Sequence, residues 1–384
     1  MKKFLILMTA VLTVSCASNN KEEETVFVKV DLDATPSAKN TADFLKRLSI
    51  RLVPLETTDA SLFSGSSTIM VSGNDIFINY ASPMSNSYLL HFDGNGRFIG
   101  KIDRRGHGPG EYTGGYTKYV SDGKIYVSDF GNILVYDLEG THLYSLPLKD
   151  PGSMIVTPLG IMITSSYDKE YVLNIYDKTS GEKTAQYLPN EEILADMQYV
   201  RAPYNAVGIY NGGIHATKYF DYSIYYIRDG EVATLFKFDF GSKNMPNDML
   251  AGSPDDIADR FEDYRYETVM SIGRITLNDN WLIFSPELED APIVYYDRKK
   301  GSYMTNKGFD IPYSTLFGGY KPPNGQTESG EYYSLVESYA LSEMILELAG
   351  KDKDYLSKYP FLKGIDPAGI NEDDNPWAVF YTID

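Results

Sequence analysis

The residues best equipped for chemistry in this 384-residue chain gather in RRGHGPGEYTGGY, Arg104 to Tyr116. Arg104 and Arg105 carry guanidinium forks that fit a carboxylate or a phosphate. His107 adds an imidazole, a side chain of the type used for acid–base chemistry, and Glu111 adds a carboxylate. Together they would line a mouth for an anionic or sugar ligand. A structural reading competes with this one. Gly106, Gly108, Gly110, Gly114 and Gly115 let the backbone turn sharply, and Pro109 fixes one dihedral. Glu111 and Tyr112 can tie loose backbone groups of neighbouring loops. A tight turn accounts for every residue type except the basic trio, and it is the favoured reading.

Other constellations are thinner. Glu56, Asp129, Asn205 and Asp221 are of the type that holds one divalent ion at the axis of a lactone-hydrolysing propeller. Acidic residues are too frequent here, at 53 Asp and Glu, for that set to specify a site. No cofactor is expected, although a divalent metal such as calcium stays open. Arg201, Tyr204, His215 and Tyr219 could act as the Tyr/His–Arg pairing of a polysaccharide lyase. The plainer expectation puts His215, in GGIHATKYF, on a strand facing loops or solvent. His91 and His142 read as packing or edge residues of hairpins. The 2 tryptophans, Trp281 and Trp377, sit in no sialidase-type turn. HExxH, P-loop, GxSxG and dinucleotide fingerprints are all missing from the sequence.

The elements that must position these residues recur. An alternating apolar strand, an aromatic–Asp pair, a short turn and a second strand appear in SYLLHFDGNGRFIGKI and again in NILVYDLEGTHLYSL. The unit returns as YVLNIYDKTSGEKTAQYL, YSIYYIRDGEVATLFKF and PIVYYDRKKGSYM. Each reads as a β-hairpin turning at Asp93, Asp137, Asp177, Asp229 or Asp297. A further strand precedes the hairpins as DIFINY, KIYVSD, GIMITSS, GGIHATKYF and NWLIFS. A recurrence near 40–50 residues, lengthened by insertions, is that of propeller blades. Five hairpins are visible, so a sixth blade must come from the ends. NPWAVFYTID supplies the last strand, while VFVKVDL and IRLVPLE supply strands near the mature start. Pairing the last strand with the first would remove open edges. The expected fold is therefore all-β: a six-bladed β-propeller with N- and C-terminal strands closing one blade. Two helical insertions are expected, SPDDIADRFEDYRYETV behind the cap Ser253, and LVESYALSEMILELAG ending at Gly350.

The N-terminus MKKFLILMTAVLTVSC has a basic start and an apolar run of signal-peptide length, too short to span a membrane as a helix. Its end resembles a lipoprotein lipobox, with Cys16, the only cysteine, as the lipid-bearing (palmitate) first mature residue. Thr13 stands where that pattern favours Leu. Residues 1–15 are read as signal peptide, 16–25 as a lipid-anchored tether and 26–384 as one domain. A formal charge of −18 disfavours nucleic acid and anionic lipid surfaces. It suits neutral glycans, basic peptides or divalent cations, and 32 tyrosines suit stacking on sugars or proteins. A lone cysteine excludes an intrachain disulfide framework.

VPLETT at Val53 to Thr58, FDGNGRFIGKI, GHGPGEY, IYVSD and DDNPWAVFY follow one another along the chain. In that order they resemble the six-bladed β-propeller lipoproteins of gut-type Gram-negative bacteria, a largely uncharacterised family with NHL-like architecture. The resemblance implies an outer-membrane, lipid-anchored protein facing the periplasm or the cell surface. Glu22, Glu23 and Glu24 after the cysteine resemble a surface-display signal, with a solvated spacer as the alternative. The resemblance carries no shared activity, and the family tolerates other polar residues at the position of His107. The expected function is a non-catalytic ligand-binding or scaffolding module. Its partner would be a glycan, a peptide or an outer-membrane protein, in connection with glycan or nutrient uptake. The alternative is a carbohydrate-active or lactone-hydrolysing enzyme with an axial pocket.

Overall fold

The computed structural model describes residues 24–384 except 64–66, 82–86, 116, 149–152, 165–169, 192–193, 195–202, 204–205 and 318–321. Cys16, Arg201, Tyr204 and Asn205 lie outside the described residues, as does the leader. The chain is all-β, built of small antiparallel sheets with a few helices. Sheet I comprises Thr68–Ser72, Asp75–Ala81, Ser87–Phe92 and Phe98–Ile102, and sheet II Thr117–Ser121, Lys124–Asp129, Asn132–Tyr136 and His142–Pro147. Sheet III comprises Ser153–Thr157, Gly160–Thr164, Tyr171–Tyr176 and Lys183–Pro189. Sheet IV comprises Val207–Tyr210, Gly213–Ala216, Ser223–Arg228 and Glu231–Asp239, and sheet V Ile272–Leu277, Trp281–Pro286, Val294–Asp297 and Ser302–Thr305. Sheet VI is assembled from Gly325–Gln326, Tyr332–Val336, Trp377–Ile383 and, on its outer edge, Leu48–Pro54.

Local chemistry explains the meander. The side chains of Asp93, Asp137, Asp177 and Asp297 each accept bonds from backbone amides two to four residues on, at 2.7–3.1 Å, closing the third-to-fourth strand turns of sheets I, II, III and V. In sheet IV the mechanism differs. Asp229 and Gly230 both take positive φ, 54° and 86°, the geometry of a two-residue hairpin turn. The innermost strands, absent from the sequence reading, turn back in the same way, through Asp122–Gly123 in sheet II and Asn211–Gly212 in sheet IV.

The middle strands are buried on both faces, as in KIYVSD and NILVY, whereas outer strands such as HLYSLP are largely exposed. This follows from stacking sheet against sheet. Phe77 and Leu89 of sheet I pack with Val120 and Val127 of sheet II, and Val135 of sheet II with Val156 and Ile163 of sheet III. Equivalent apolar layers join III to IV, IV to V and V to VI. A sixth layer places Tyr333, Ala378 and Phe380 of sheet VI against Ile69, Ile78 and Leu90 of sheet I. The first strands of sheets I to V also touch in succession, and Tyr332–Val336 touches the first strand of sheet I.

The N-terminal strands do not both enter the last sheet, as the sequence suggested. Val26–Lys29 runs parallel to Glu231–Asp239 on the outer edge of sheet IV. The chain then crosses sheet V, where Tyr303 Oη accepts from Asp31 N at 2.8 Å, and helix α1 (Ala38–Leu45) leads it to sheet VI. Only Leu48–Pro54 pairs with the C-terminal strand, in an unbroken register from Leu48↔Ile383 to Pro54↔Trp377. Helix α2 (Pro254–Tyr264) has the expected Ser253 cap, completed by Asp256 as a reciprocal capping box. Helix α3 (Ser338–Lys351) starts later than expected, because Leu335 and Val336 belong to a strand of sheet VI.

Asn375 clasps the join. Its Oδ1 accepts from Phe63 N at 2.9 Å, and its Nδ2 donates to Glu56 O and Ser61 O at 2.9 and 3.0 Å. Its backbone NH donates to Thr57 Oγ1, and Ser338 Oγ donates to its carbonyl. At 1 % exposure, each of these bonds replaces water that has no access. Replacing Asn375 with Ala should cost about 2–4 kcal/mol in urea unfolding, because several buried groups lose partners at once. Asn375→Asp, which keeps the acceptor but removes both donors, should cost nearly as much. A loss below about 0.5 kcal/mol for both would contradict this role.

Candidate functional site

The Arg104–Tyr112 stretch leaves the outer strand of sheet I and enters the inner strand of sheet II as a knot of internal bonds. Tyr112 N donates to Arg104 O at 2.9 Å, Gly106 N to Tyr112 O at 3.0 Å, and Glu111 N to Gly108 O at 3.1 Å. The Glu111 carboxylate accepts from Gly108 N at 2.8 Å. A side chain on Gly106 would fall 1.9 Å from that carboxylate, and Gly110, at φ +73°, lies against the His142 ring. Downstream, Asp129 gathers the amides of Thr113, Gly114 and Gly115 at 2.9, 2.7 and 3.3 Å. Buried Tyr112 anchors the loop, and burial pushes its hydroxyl pKa up to about 12.

The basic trio is placed unevenly. Arg105 forms a bidentate pair with Asp103, at 2.7 Å on each side, and Arg104 donates from Nε to Gly140 O at 2.7 Å. His107 is exposed. Beneath them lies a cation that the sequence reading passed over. Lys118, on the inner strand of sheet II, is 4 % exposed and donates to Gly115 O at 3.1 Å and to Ser87 Oγ. Burial brings its pKa down to about 8.

The acidic residues weighed as metal ligands stand apart. Glu56 accepts from Phe98 N at 2.8 Å, Asp129 holds the loop amides, and Asp221 accepts from Ser223 N and the Tyr225 hydroxyl. Among the described residues, no three His, Cys, Asp or Glu side chains gather as a metal site would require.

His215 is a correction to the expectation of a strand residue facing loops or solvent. It is 1 % exposed and lies over Gly208 of the neighbouring strand, where a Cβ would sit 2.4 Å from its Nε2. Among the described residues its Nδ1 has no hydrogen-bond partner, and burial alone pushes its pKa down to about 4. His91 is also buried, stacked on Phe77 at 4.4 Å with Nε2 3.0 Å from Asp75, while His142 lies at an exposed strand start.

A recess lies elsewhere, where α2 covers the junction of sheets IV and V. An open cleft of about 230 Å³ is lined by Tyr219, Phe261, Tyr266, Arg265, Glu287 and Glu289, with Met270 and Leu288 as its apolar floor. Three separate segments build it. Tyr219 sits before Phe220, whose φ of 56° is strained for an aromatic residue and whose NH donates to Met270 O at 3.0 Å. The capped α2 delivers Phe261, which meets Phe220 edge-on at 6.2 Å. The end of sheet V delivers Glu287, held by the Ser271 hydroxyl at 2.5 Å and by the Tyr219 hydroxyl. Burial, then the Glu287 charge, raises the Tyr219 pKa strongly, so its hydroxyl remains a donor. Arg265 is paired with Glu262 at 3.1 Å and stacks over Tyr266 at 4.6 Å. Tyr266 remains 55 % exposed. Of these residues the sequence reading singled out only Tyr219. The available signal was the density of rings and acids in RFEDYRYE, which was read as an insertion packed on the ring.

The buried imidazole makes a prediction. His215 binds a proton in the unfolded chain below pH 6.5 but not in the folded chain until about pH 4, so unfolding takes up a proton between these values. Stability should therefore fall as pH drops from 6.5 to 4, by a few kcal/mol at most (about 1.4 per pH unit). His215→Phe or His215→Met should flatten that part of the stability–pH curve measured by urea unfolding. An unchanged slope would contradict the assignment.

No curated protein matches this chain. A solved structure similar to it, described as an exported protein of Bacteroides fragilis NCTC 9343, superposes with a TM-score of 0.68 at 17 % identity, over 94 % of this chain and 100 % of that one. A member of the duf4221 family from Bacteroides vulgatus superposes with a TM-score of 0.46 at 10 % identity, over 88 % and 97 % of the two chains. The first of these likenesses establishes a shared fold. No described helix is long and apolar enough to cross a membrane. The model of the family described as Domain of unknown function (DUF4934) matches residues 28–382, nearly the whole described chain, and the protein accordingly belongs to that family.

Proposed function

We propose that this protein is a six-bladed β-propeller lipoprotein that works as a non-catalytic binding module, held at the outer membrane through Cys16 and presenting the α2 cleft to a ligand. Six apolar layers, the last joining sheet VI to sheet I, support the closed six-bladed ring. The exported relative and the lipobox-like start support the location. The observation that carries the binding reading is the cleft itself. It combines rings, carboxylates and an apolar floor, the composition of a small ligand site. The alternative of an axial, metal-dependent enzyme gains no support from Glu56, Asp129 and Asp221, which hold backbone amides. Candidate ligands are a glycan, a peptide or a segment of an outer-membrane partner. Arg104, Arg105, His107 and Glu111 on the loop are a second surface, and the same screen probes it.

A glycan and peptide binding screen on the purified protein tests this reading, repeated with Tyr266→Ala and with the double variant Arg105→Ala, His107→Ala. Tyr266→Ala should weaken the best ligand by roughly tenfold or more, the scale of one lost aromatic anchor, while the loop variant binds as the parent does. Loss on the loop variant alone would move the site to the Arg104–Tyr116 stretch. Turnover of any bound compound would overturn the non-catalytic reading. Cys16 free of acyl chains in native membranes would overturn the anchor.

A further inference from the structure

We infer that the outer edge of sheet IV, at Val26–Lys29, is a membrane-contact surface. On it Phe27 enters the headgroup layer of the bilayer, while Lys29 and Lys237 meet lipid phosphates. This inference rests on the proposed anchor at Cys16 and adds which face of the domain the anchor holds against the lipid. Val26, the start of the strand, follows Cys16 by only ten positions. A chain of that length reaches at most about 35 Å, so the strand stays close to the bilayer. Its two faces are unlike. Val28, with Val30 and Leu32 just beyond the strand, is buried in the apolar layer that holds Phe236 and Phe238. Phe27 points the other way and is 76 % exposed, more than any other large apolar side chain among the described residues. The parallel register sets it beside Lys237, which is exposed, and Lys29 shares its face two residues on. Lys29 lies 3.7 Å from Asp239, a solvated contact that holds the ammonium only weakly. Lysines on an edge strand discourage pairing with a second chain. A ring set between them suits the boundary of headgroups and acyl chains, where the apolar part sinks and the ammonium groups stay at the phosphates. Burying one ring favours partition by roughly ten- to a hundredfold, too little to hold a free protein at a membrane. On a short tether the contact becomes intramolecular, at an effective concentration on the order of millimolar, and then suffices to orient the domain. The formal charge of −18 opposes an anionic surface, so the matching lipids are zwitterionic.

The test uses the full lipidated protein in vesicles of phosphatidylcholine and phosphatidylethanolamine, with brominated acyl chains to quench tryptophan fluorescence. Phe27→Trp puts a reporter on the edge strand, and Phe130→Trp puts one at another exposed ring, in a turn of sheet II. Brominated lipid should quench the Phe27→Trp protein severalfold more than the parent, whose Trp281 and Trp377 give the background. The Phe130→Trp protein should be quenched no more than the parent. Adding Lys29→Glu and Lys237→Glu to Phe27→Trp should remove most of the extra quenching and leave the thermal unfolding midpoint unchanged, because both lysines are exposed. Equal quenching of Phe27→Trp and the parent, in protein that floats with the vesicles on a density gradient, would overturn the contact and leave the anchor intact. The same result with dimers on cross-linking would assign the edge to a second copy instead. Failure of the parent to float would overturn the anchor and the contact together.

Discussion

Everything in this architecture depends on how the two ends of the sequence meet. The last strand, Trp377–Ile383, is not an edge. It lies between Tyr332–Val336 and Leu48–Pro54, so a strand from the start of the domain forms the outer wall of the sheet that contains its end. Arg47 reinforces the join by donating to the carbonyl of Asp384, pairing with Asp297 of sheet V at 2.9 Å and covering Trp281 at 4.7 Å. The Trp281 indole NH in turn donates to Ile383 O at 3.1 Å. Asn375 secures the other end of the strand against residues 56–63. The bonds of Arg47 to Asp384 and of Asn375 to residues 56–63 span more than 300 positions of sequence, so the entropy of closing that loop must be met before they contribute. This makes sheet VI the cooperative step on which the neighbouring layers depend.

The same constraint explains where function can reside. Strands buried on both faces have no free surface, and their polar residues must be satisfied internally or stay neutral. Among the described residues, His215 and Lys118 illustrate this near the inner strands. Both have pKa values moved towards the neutral form by burial. What remains available is the connections between sheets, and these differ in kind. The Arg104–Gly115 connection is short and closed on itself by its own amides. The connection from sheet IV to sheet V is long enough to carry a capped helix, and in crossing the junction it leaves a recess that neither sheet fills.

The sequence disclosed the repeating parts and concealed the joins. Aspartates at 93, 137, 177 and 297 were legible because a turn side chain acts on amides within four residues, and Asp229 because Asp-Gly is itself a hairpin-turn pair. The second strands were legible because their burial on both faces makes them long apolar runs. The innermost strands were not. Thr68–Ser72 and Thr117–Ser121 are short strands bounded by Thr and Ser, and the second carries Lys118, whose ammonium finds its partners in Ser87 and Gly115, which local periodicity does not report. The split of the N-terminal strands between sheets IV and VI was equally hidden, since VFVKVDL and IRLVPLE have the same pattern and differ only in their neighbours. VPLETT and DDNPWAVFY stood out as separate motifs, and the structure joins them through Asn375. The cleft was illegible for a further reason: its rings and acids come from positions 219, 261–266 and 287–289.

Charge accounting then separates the two surfaces that could bind something. The chain has 35 basic residues against 53 acidic ones. Several of the basic groups stabilise the fold: Arg47 at the join, Arg104 on Gly140, Arg105 on Asp103, and Arg298 on Tyr210 and Asn278. An arginine held bidentately by an aspartate is a poor receptor for an anion, because binding would require breaking a charge-assisted pair. Carboxylates are in surplus, and most are dispersed over solvated turns where water competes for any guest. The α2 cleft differs in that rings and aliphatic carbons lie beside its carboxylates. A carboxylate against an apolar wall attracts a cation more strongly than one in open water.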